Sequence, residues 1–167
     1  MPLLKSDLMK NALESPRVVA LLKRIVPPLD RALLRVSRGW VNTAMQSVVL
    51  LETVGARSGT TRAVPMLCMP LAGDIVVVGS NWGKRSDPAW LHNLRSNPIA
   101  RVHYRGYVGP VRATEAMGEK RQDLWQRLVR CNPQYARYQD QTDRELPVIV
   151  LRRMQKTPLE SRERREP

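Results

Sequence analysis

Three short segments of this chain combine residue types that can bind anions, shape a backbone around a ligand, or donate a proton. The first is Gly55-Ala56-Arg57-Ser58-Gly59-Thr60-Thr61-Arg62. Its two glycines admit positive φ and can turn successive backbone N–H groups toward an anion, while Arg57 and Arg62 add charged donors and Ser58 a hydroxyl. The same stretch also reads as a plain hairpin loop with solvated arginines. The second runs from Ser80-Asn81-Trp82-Gly83 through Asp87-Pro88 to Ala89-Trp90-Leu91-His92-Asn93-Leu94. A polar loop there feeds a helix start, whose free N–H groups and dipole suit a negative group. Trp90 and Leu94, one turn apart, are expected to face the core, which leaves His92 and Asn93 projecting elsewhere. A lone histidine on a short helix is more often a structural hydrogen-bonding group than a catalyst. The third is Asn132-Pro133-Gln134-Tyr135-Ala136-Arg137-Tyr138. If this turn is helical, Tyr135 and Tyr138 share a face, where their rings can cover a planar ligand and their hydroxyls can donate to a reacting oxygen. Packing against the rest of the fold is the plainer use of the same two rings.

Several chemistries are poorly served. No Gly-x-Ser-x-Gly elbow supports a serine hydrolase, and the first segment lacks the Gly-Lys-Ser/Thr ending of a P-loop. Two histidines, His92 and His103, make a histidine metal cluster implausible. The two cysteines, Cys68 and Cys131, lie far apart without CxxC spacing, and the expectation is two buried thiols in a reducing compartment. No apolar run reaches the roughly 18 residues of a membrane-spanning helix, and Lys5, Asp7 and Lys10 break the N-terminus, which speaks against a signal peptide.

The elements that must position these segments follow from periodicity. Residues 1–40 read as helices: Leu8, Met9, Ala12 and Leu13 recur at helical spacing, Ser15-Pro16 opens a second run, Pro27-Pro28 ends it, and Leu29, Ala32, Leu33 and Val36 continue to Gly39. The middle changes to strands over 47–53, 63–69, 74–80, 99–105, 107–115 and 147–152, rich in β-branched residues. Ala72-Gly73-Asp74 and Arg105-Gly106-Tyr107 look like hairpin connections, favouring antiparallel pairing. Pro65, Pro70 and Pro110 point to edges, bulges or barrel corners. Helices are expected over 89–95, 118–131 and 134–140, with a mobile charged tail over 154–167. The resulting expectation is one α+β domain over 41–153, a small antiparallel barrel with helices outside it, and a basic helical extension over 1–40.

The 167 residues carry 28 Lys and Arg against 15 Asp and Glu, a net charge of +13. That excess calls for an anionic partner. It is spread along the chain with the two ends over-represented, whereas a nucleic-acid reader concentrates it on one element, so no nucleic acid is expected. Residues 1–38 form a basic, amphipathic set suited either to an anionic membrane surface or to packing as a lid on the barrel.

Taken together and in order, Leu50–Pro65, Ile75–Gly83, Asp87–Pro98 and Asn132–Leu151 make the chain similar to the deazaflavin (coenzyme F420)-dependent nitroreductases and F420H2-dependent quinone reductases. The resemblance implies a split β-barrel of the flavin-nucleotide-binding type. It implies cofactor contacts at Ala56, Arg57 and Ser58, at Arg62, Ala63, Val64, Pro65, Met66 and Leu67, at Val78, Gly79, Ser80 and Asn81, and at Ala89, Trp90, Leu91, His92 and Asn93. Arg57, Ser58 and Arg62 would hold the phosphate and glutamate tail. Tyr135 and Tyr138 would be the catalytic pair, donating to a quinone, nitro or enone acceptor. Ala56, Leu91, Asn132 and Trp82 depart from the usual pattern, which bears on substrate range more than on cofactor choice. An FMN-dependent oxidoreductase on the same barrel is the runner-up, and a non-catalytic basic binding module the reading from another class. The expected location is the cytoplasm, on or off the inner face of the cell membrane.

Overall fold

A computed structural model describes residues 28, 29, 31–40 and 47–154. The helices expected before Pro27 and the tail after Met154 lie outside these residues.

Seven strands form one antiparallel sheet: β1 (Val48–Val54), β2 (Thr61–Leu67), β3 (Met69–Leu71), β4 (Asp74–Val78), β5 (Ile99–Tyr104), β6 (Tyr107–Glu115) and β7 (Val148–Arg153). Their order is β2-β1-β5-β6-β7-β4-β3. The two edges, β2 and β3, are consecutive halves of one strand bent at Cys68, the first pairing with β1 and the second with β4. That bend curls the sheet into a half-barrel and explains why seven strands replace the six expected. Pro65 and Pro70 sit in these two halves, each paired on one side only, where a missing N–H costs no ladder bond. Pro110 stands at the end of the β6–β7 ladder, which begins at Val111↔Arg153. There the Pro110 carbonyl accepts from the Met154 N–H and the Tyr107 hydroxyl.

Both hairpins read from the sequence form. Ala72-Gly73 links β3 to β4 and Arg105-Gly106 links β5 to β6, with positive φ at all four residues, as a two-residue turn of this twist requires. Strand alternation then sorts side chains. Val49, Leu51, Val102, Val111, Ile75, Val77, Ile149 and Leu151 fill the interior. The opposite face carries Val76, Val78, Val148 and Val150 beneath α2 (Gly118–Cys131) and α3 (Gln134–Asp140).

Residues 31–36 are helical, as expected, and pack on the outside of β1, but through Leu34 rather than the expected stripe, of which Leu29, Ala32 and Val36 are exposed. Leu34 is fully buried against Val48 and Leu50, and Arg35 donates twice to Glu52. The chain that follows bonds to the β5–β6 hairpin, Arg105 N–H to the Gly39 carbonyl and Gly106 N–H to the Arg38 carbonyl. Gly39, at φ +85°, lies so close to the Tyr104 backbone that a Cβ would overlap it. No helix among the described residues is long and apolar enough to cross a membrane.

Candidate functional site

The barrel is open where its two halves part. β3 and β4 pair from Met69↔Val76 to Leu71↔Asp74; continued in register, Cys68 would stand opposite Val77 and Leu67 opposite Val78, but no pairing forms there. Beyond that point β2 runs one way toward Arg62 and the chain after β4 runs another toward Asn81. The two stretches expected to flank a ligand, 62–67 and 78–81, therefore border one split. β2 offers it a backbone edge along its whole length, since among the described residues its only strand partner is β1.

The bend after β1 lies at one end of β2. Gly55 and Thr60 close it through the Gly55 N–H to the Thr60 carbonyl, and Gly59, at φ +64°, donates back to Gly55. Ser58 Oγ accepts from the Thr60 N–H. Arg57 and Arg62 are exposed and form no ion pair among the described residues, so their charge is available to a bound anion.

Helix α1 (Ala89–Ser96) is joined to this bend directly. Trp90, Leu91 and Leu94 are buried in the interior, as the spacing required of Trp90 and Leu94. Asn93 does not project away, as the Trp90–Leu94 stripe led one to expect. It is 9% exposed, its side-chain oxygen accepts from the Ala56 N–H at 3.0 Å, and its NH2 group donates to Thr53 Oγ1 at 3.0 Å. Its role is thus to fix the bend, with both polar ends already occupied. Leu91 is fully buried, beneath Gly79, and Ala89 and His92 face solvent. Val64 and Met66 pack inward, while Ala63 and Leu67 pack outward beside Leu34.

At the other end of β2 lies a cavity of about 360 Å³ lined by Ser47, Leu67, Cys68, Met69, Leu128, Cys131 and Tyr135, among others. Five steps of strand separate Arg62 from Leu67, about 17 Å at the usual rise. Tyr135 is 6% exposed, and its hydroxyl makes no hydrogen bond among the described residues. Burial, with the neighbouring Cys68, Tyr138 and Cys131, pushes its pKa well above the ordinary phenol value, so it stays protonated and able to donate. Burial likewise pushes the Cys68 thiol up to about 12, against smaller opposing effects of Tyr104 and Arg105. The Tyr104 hydroxyl is buried beside Cys68 without a hydrogen bond of normal geometry. The expectation of two buried thiols is met in full at neither: Cys68 is half-buried, and Cys131 is exposed where α2 ends at the cavity rim.

Tyr138 is three residues along the same helix but not in the cavity lining; it meets Trp82 edge to face, with ring centroids 6.1 Å apart. The loop that carries Trp82 holds three successive left-handed residues, Asn81, Trp82 and Gly83, at φ +45°, +60° and +75°. Arg144, absent from the sequence reading, secures this loop from behind. Its guanidinium donates to the carbonyls of Gly79 (2.9 Å), Ser80 (3.0 Å) and Lys84 (2.9 Å) and to Asp87 Oδ1 (2.7 Å). Asp87 is shared with Arg95, so it anchors the helix start through ion pairs and caps no backbone N–H. The signal in the sequence was the lone Arg144 amid the Asp143–Pro147 stretch, but its partner lies 57 residues away.

Fold and site together define a split-barrel protein whose edge strand β2 has exposed arginines at its start and a cavity bearing Tyr135 at its end. The model of the F420H(2)-dependent quinone reductase family matches residues 30–153, and the chain belongs to that family. Among curated relatives, an F420H(2)-dependent quinone reductase of Mycobacterium tuberculosis is 32% identical over 112 residues, covering 63% of this chain and 72% of its own. A second protein of that organism, named for the same activity, is 34% identical over 104 residues, covering 62% of this chain and 87% of its own. The solved structure of an F420-H2 dependent reductase superposes with a TM-score of 0.59 at 37% identity, over 63% of this chain and 93% of that one.

Proposed function

We propose that this chain is a reductase dependent on reduced coenzyme F420, with a quinone as acceptor. The observation that carries the reading is the split along β2, with two arginines unpaired among the described residues at one end and, at the other, a cavity with a protonated Tyr135 hydroxyl that has no partner among them. An elongated cofactor with a flat ring and an acidic tail matches that polarity. Arg57, Ser58 and Arg62 hold the phosphate and glutamate tail; the backbone of Ala63–Leu67 and of Val78–Asn81 flanks the ring. When bound, the reduced cofactor supplies a hydride. The protein's part is to orient, to exclude water, and to donate from Tyr135 to the acceptor oxygen as negative charge develops there. Tyr138 has the secondary place, bracing Trp82 at the mouth. Nitro and enone acceptors develop charge on an oxygen in the same way and belong to the same reading.

The test is a fluorescence titration with coenzyme F420 and, separately, with FMN, followed by addition of menadione to the reduced complex. Saturable F420 binding and cofactor oxidation on adding menadione support the reading. Tighter binding of FMN with yellow, oxidase-active protein would replace it by the FMN alternative.

A position against an anionic membrane in the cytoplasm is a further reading for the basic extension over 1–40. One observation favours it: the docked segment turns Val36 and Trp40 outward, 87% and 66% exposed, beside basic residues. The expected result is that full-length protein floats with anionic liposomes and residues 41–167 do not. Equal recovery in the floating fraction would remove the membrane reading.

A further inference from the structure

We infer that Arg144 is a positioning residue for the cofactor, holding the loop from Gly79 to Asp87 in the shape that receives the ring; this rests on the F420 reading above. Three observations converge on it. First, Arg144 spends four donor contacts on that loop and on nothing else among the described residues, with its side chain 17% exposed. Only a planar fork reaches three carbonyls and a carboxylate at once. Second, the loop it holds is strained. A tryptophan at φ +60° is costly, and such conformations persist only where surrounding contacts over-determine them. Asn81 Nδ2, donating to the Ser86 carbonyl, secures the front of the loop, and Arg144 the back.

Third, two N–H groups of the loop, those of Ser80 and Asn81, are left without a partner among the described residues, while those of Gly79, Gly83 and Lys84 are bonded. Ser80 is right-handed at φ −69°, ψ −34°, and Asn81 left-handed. That succession turns neighbouring N–H groups toward one point and makes a concave site for an anion or a carbonyl oxygen. With the Gly79 and Ser80 carbonyls drawn back to the guanidinium, the loop presents donors to the split, where the ring's carbonyl-bearing edge would lie.

Arg144 is itself held by the helix that carries Tyr135. Gln139 donates to the Arg144 carbonyl at 2.8 Å and accepts from the Leu146 N–H at 2.9 Å. The two sides of the site, α3 and the Gly79–Asp87 loop, are thereby set relative to each other by one arginine.

The experiment compares wild type, Arg144→Lys and Arg95→Gln for F420 affinity by fluorescence, in the cold, where circular dichroism shows all three folded. Arg144→Lys keeps the charge and loses the fork. The expected result is cofactor binding weakened about tenfold or more, with the KM for menadione at saturating cofactor unchanged. Arg95→Gln removes the other cation on Asp87 without touching the loop carbonyls, and its affinity is expected to match wild type. An Arg144→Lys protein that binds F420 like wild type, or an equal loss in Arg95→Gln, overturns the assignment. Wild-type protein that binds no F420 overturns the cofactor reading itself. A second measurement needs no variant: F420 is expected to slow amide exchange at Ser80 and Asn81 in wild type, and unchanged exchange there overturns the proposal.

Discussion

Replacing Asn93 by alanine tests the link between helix and bend most directly. The substitution strands two groups. Thr53 Oγ1, in a side chain only 2% exposed, loses its donor and cannot turn to water, a loss worth about 1–3 kcal/mol. The Ala56 N–H loses its acceptor but lies in an exposed turn, so water recovers much of that bond and the loss is about 0.5–1 kcal/mol. The total of roughly 2–4 kcal/mol corresponds to a fall in Tm of about 4–16 °C for a chain of this size. The buried bond can be isolated by a double-mutant cycle with Thr53→Val, read by urea denaturation. Across this bond each single variant strands one partner and the double variant neither, while the Ala56 N–H is left bare in both Asn93 variants and cancels, so the cycle is expected to show a coupling of about 1–2 kcal/mol. Cofactor affinity should fall in Asn93→Ala as well, because the bend presenting Arg57 is no longer pinned. Additivity of the two single variants within about 0.5 kcal/mol would refute the claim that Asn93 fixes the bend through Thr53.

Four further outcomes follow from the site. Tyr135→Phe should lower kcat for menadione by roughly 10²-fold while leaving F420 affinity intact, whereas Tyr138→Phe should cost far less; equal turnover in both would remove the donor role. Arg57→Ala and Arg62→Ala should each weaken F420 binding about tenfold at low salt, and the deficit should shrink as ionic strength rises, because both side chains are exposed. Because the folded state holds the Cys68 thiol above its ordinary value, its stabilising contribution is complete below about pH 9 and is lost as pH climbs toward 12. Thermal denaturation across that window should therefore fall more steeply for wild type than for Cys68→Val, and parallel curves would contradict the burial of this thiol. Leu34→Ala should cost about 2–5 kcal/mol if the 31–36 helix is part of the folded unit, and a change below about 0.5 kcal/mol in urea would show that it docks without contributing.

Local chemistry made much of this legible. Ala72-Gly73 and Arg105-Gly106 announced their hairpins because two-residue turns demand positive φ, and β-branched runs marked the strands they join. The bend at Cys68 was hidden, since a run of 63–69 reads as one strand and nothing in its residue types says that pairing changes partner midway. At the site, the arginine bend, the helix after Asp87 and Tyr135 were visible as residue types with a plausible use. Asn93 was misread because its helix buries more than one stripe, having β1 on one side and the bend on another. Arg144 was missed for a different reason: its partners are backbone carbonyls 60–65 residues earlier in the chain, and carbonyls carry no mark of residue type.

The strand that borders the split is also the clasp of the half-barrel, and this ties two properties that most binding proteins keep separate. Inserting or deleting a residue between Thr61 and Leu71 would change the opening and, at once, throw every interior side chain of one half to the wrong face. The breadth of molecules admitted can therefore be retuned cheaply only from the opposite bank, at Cys131 and Asn132 where α2 ends, which can be resurfaced without unfastening the sheet or touching Tyr135. An engineer seeking a new acceptor should leave the clasp alone and rebuild the bank.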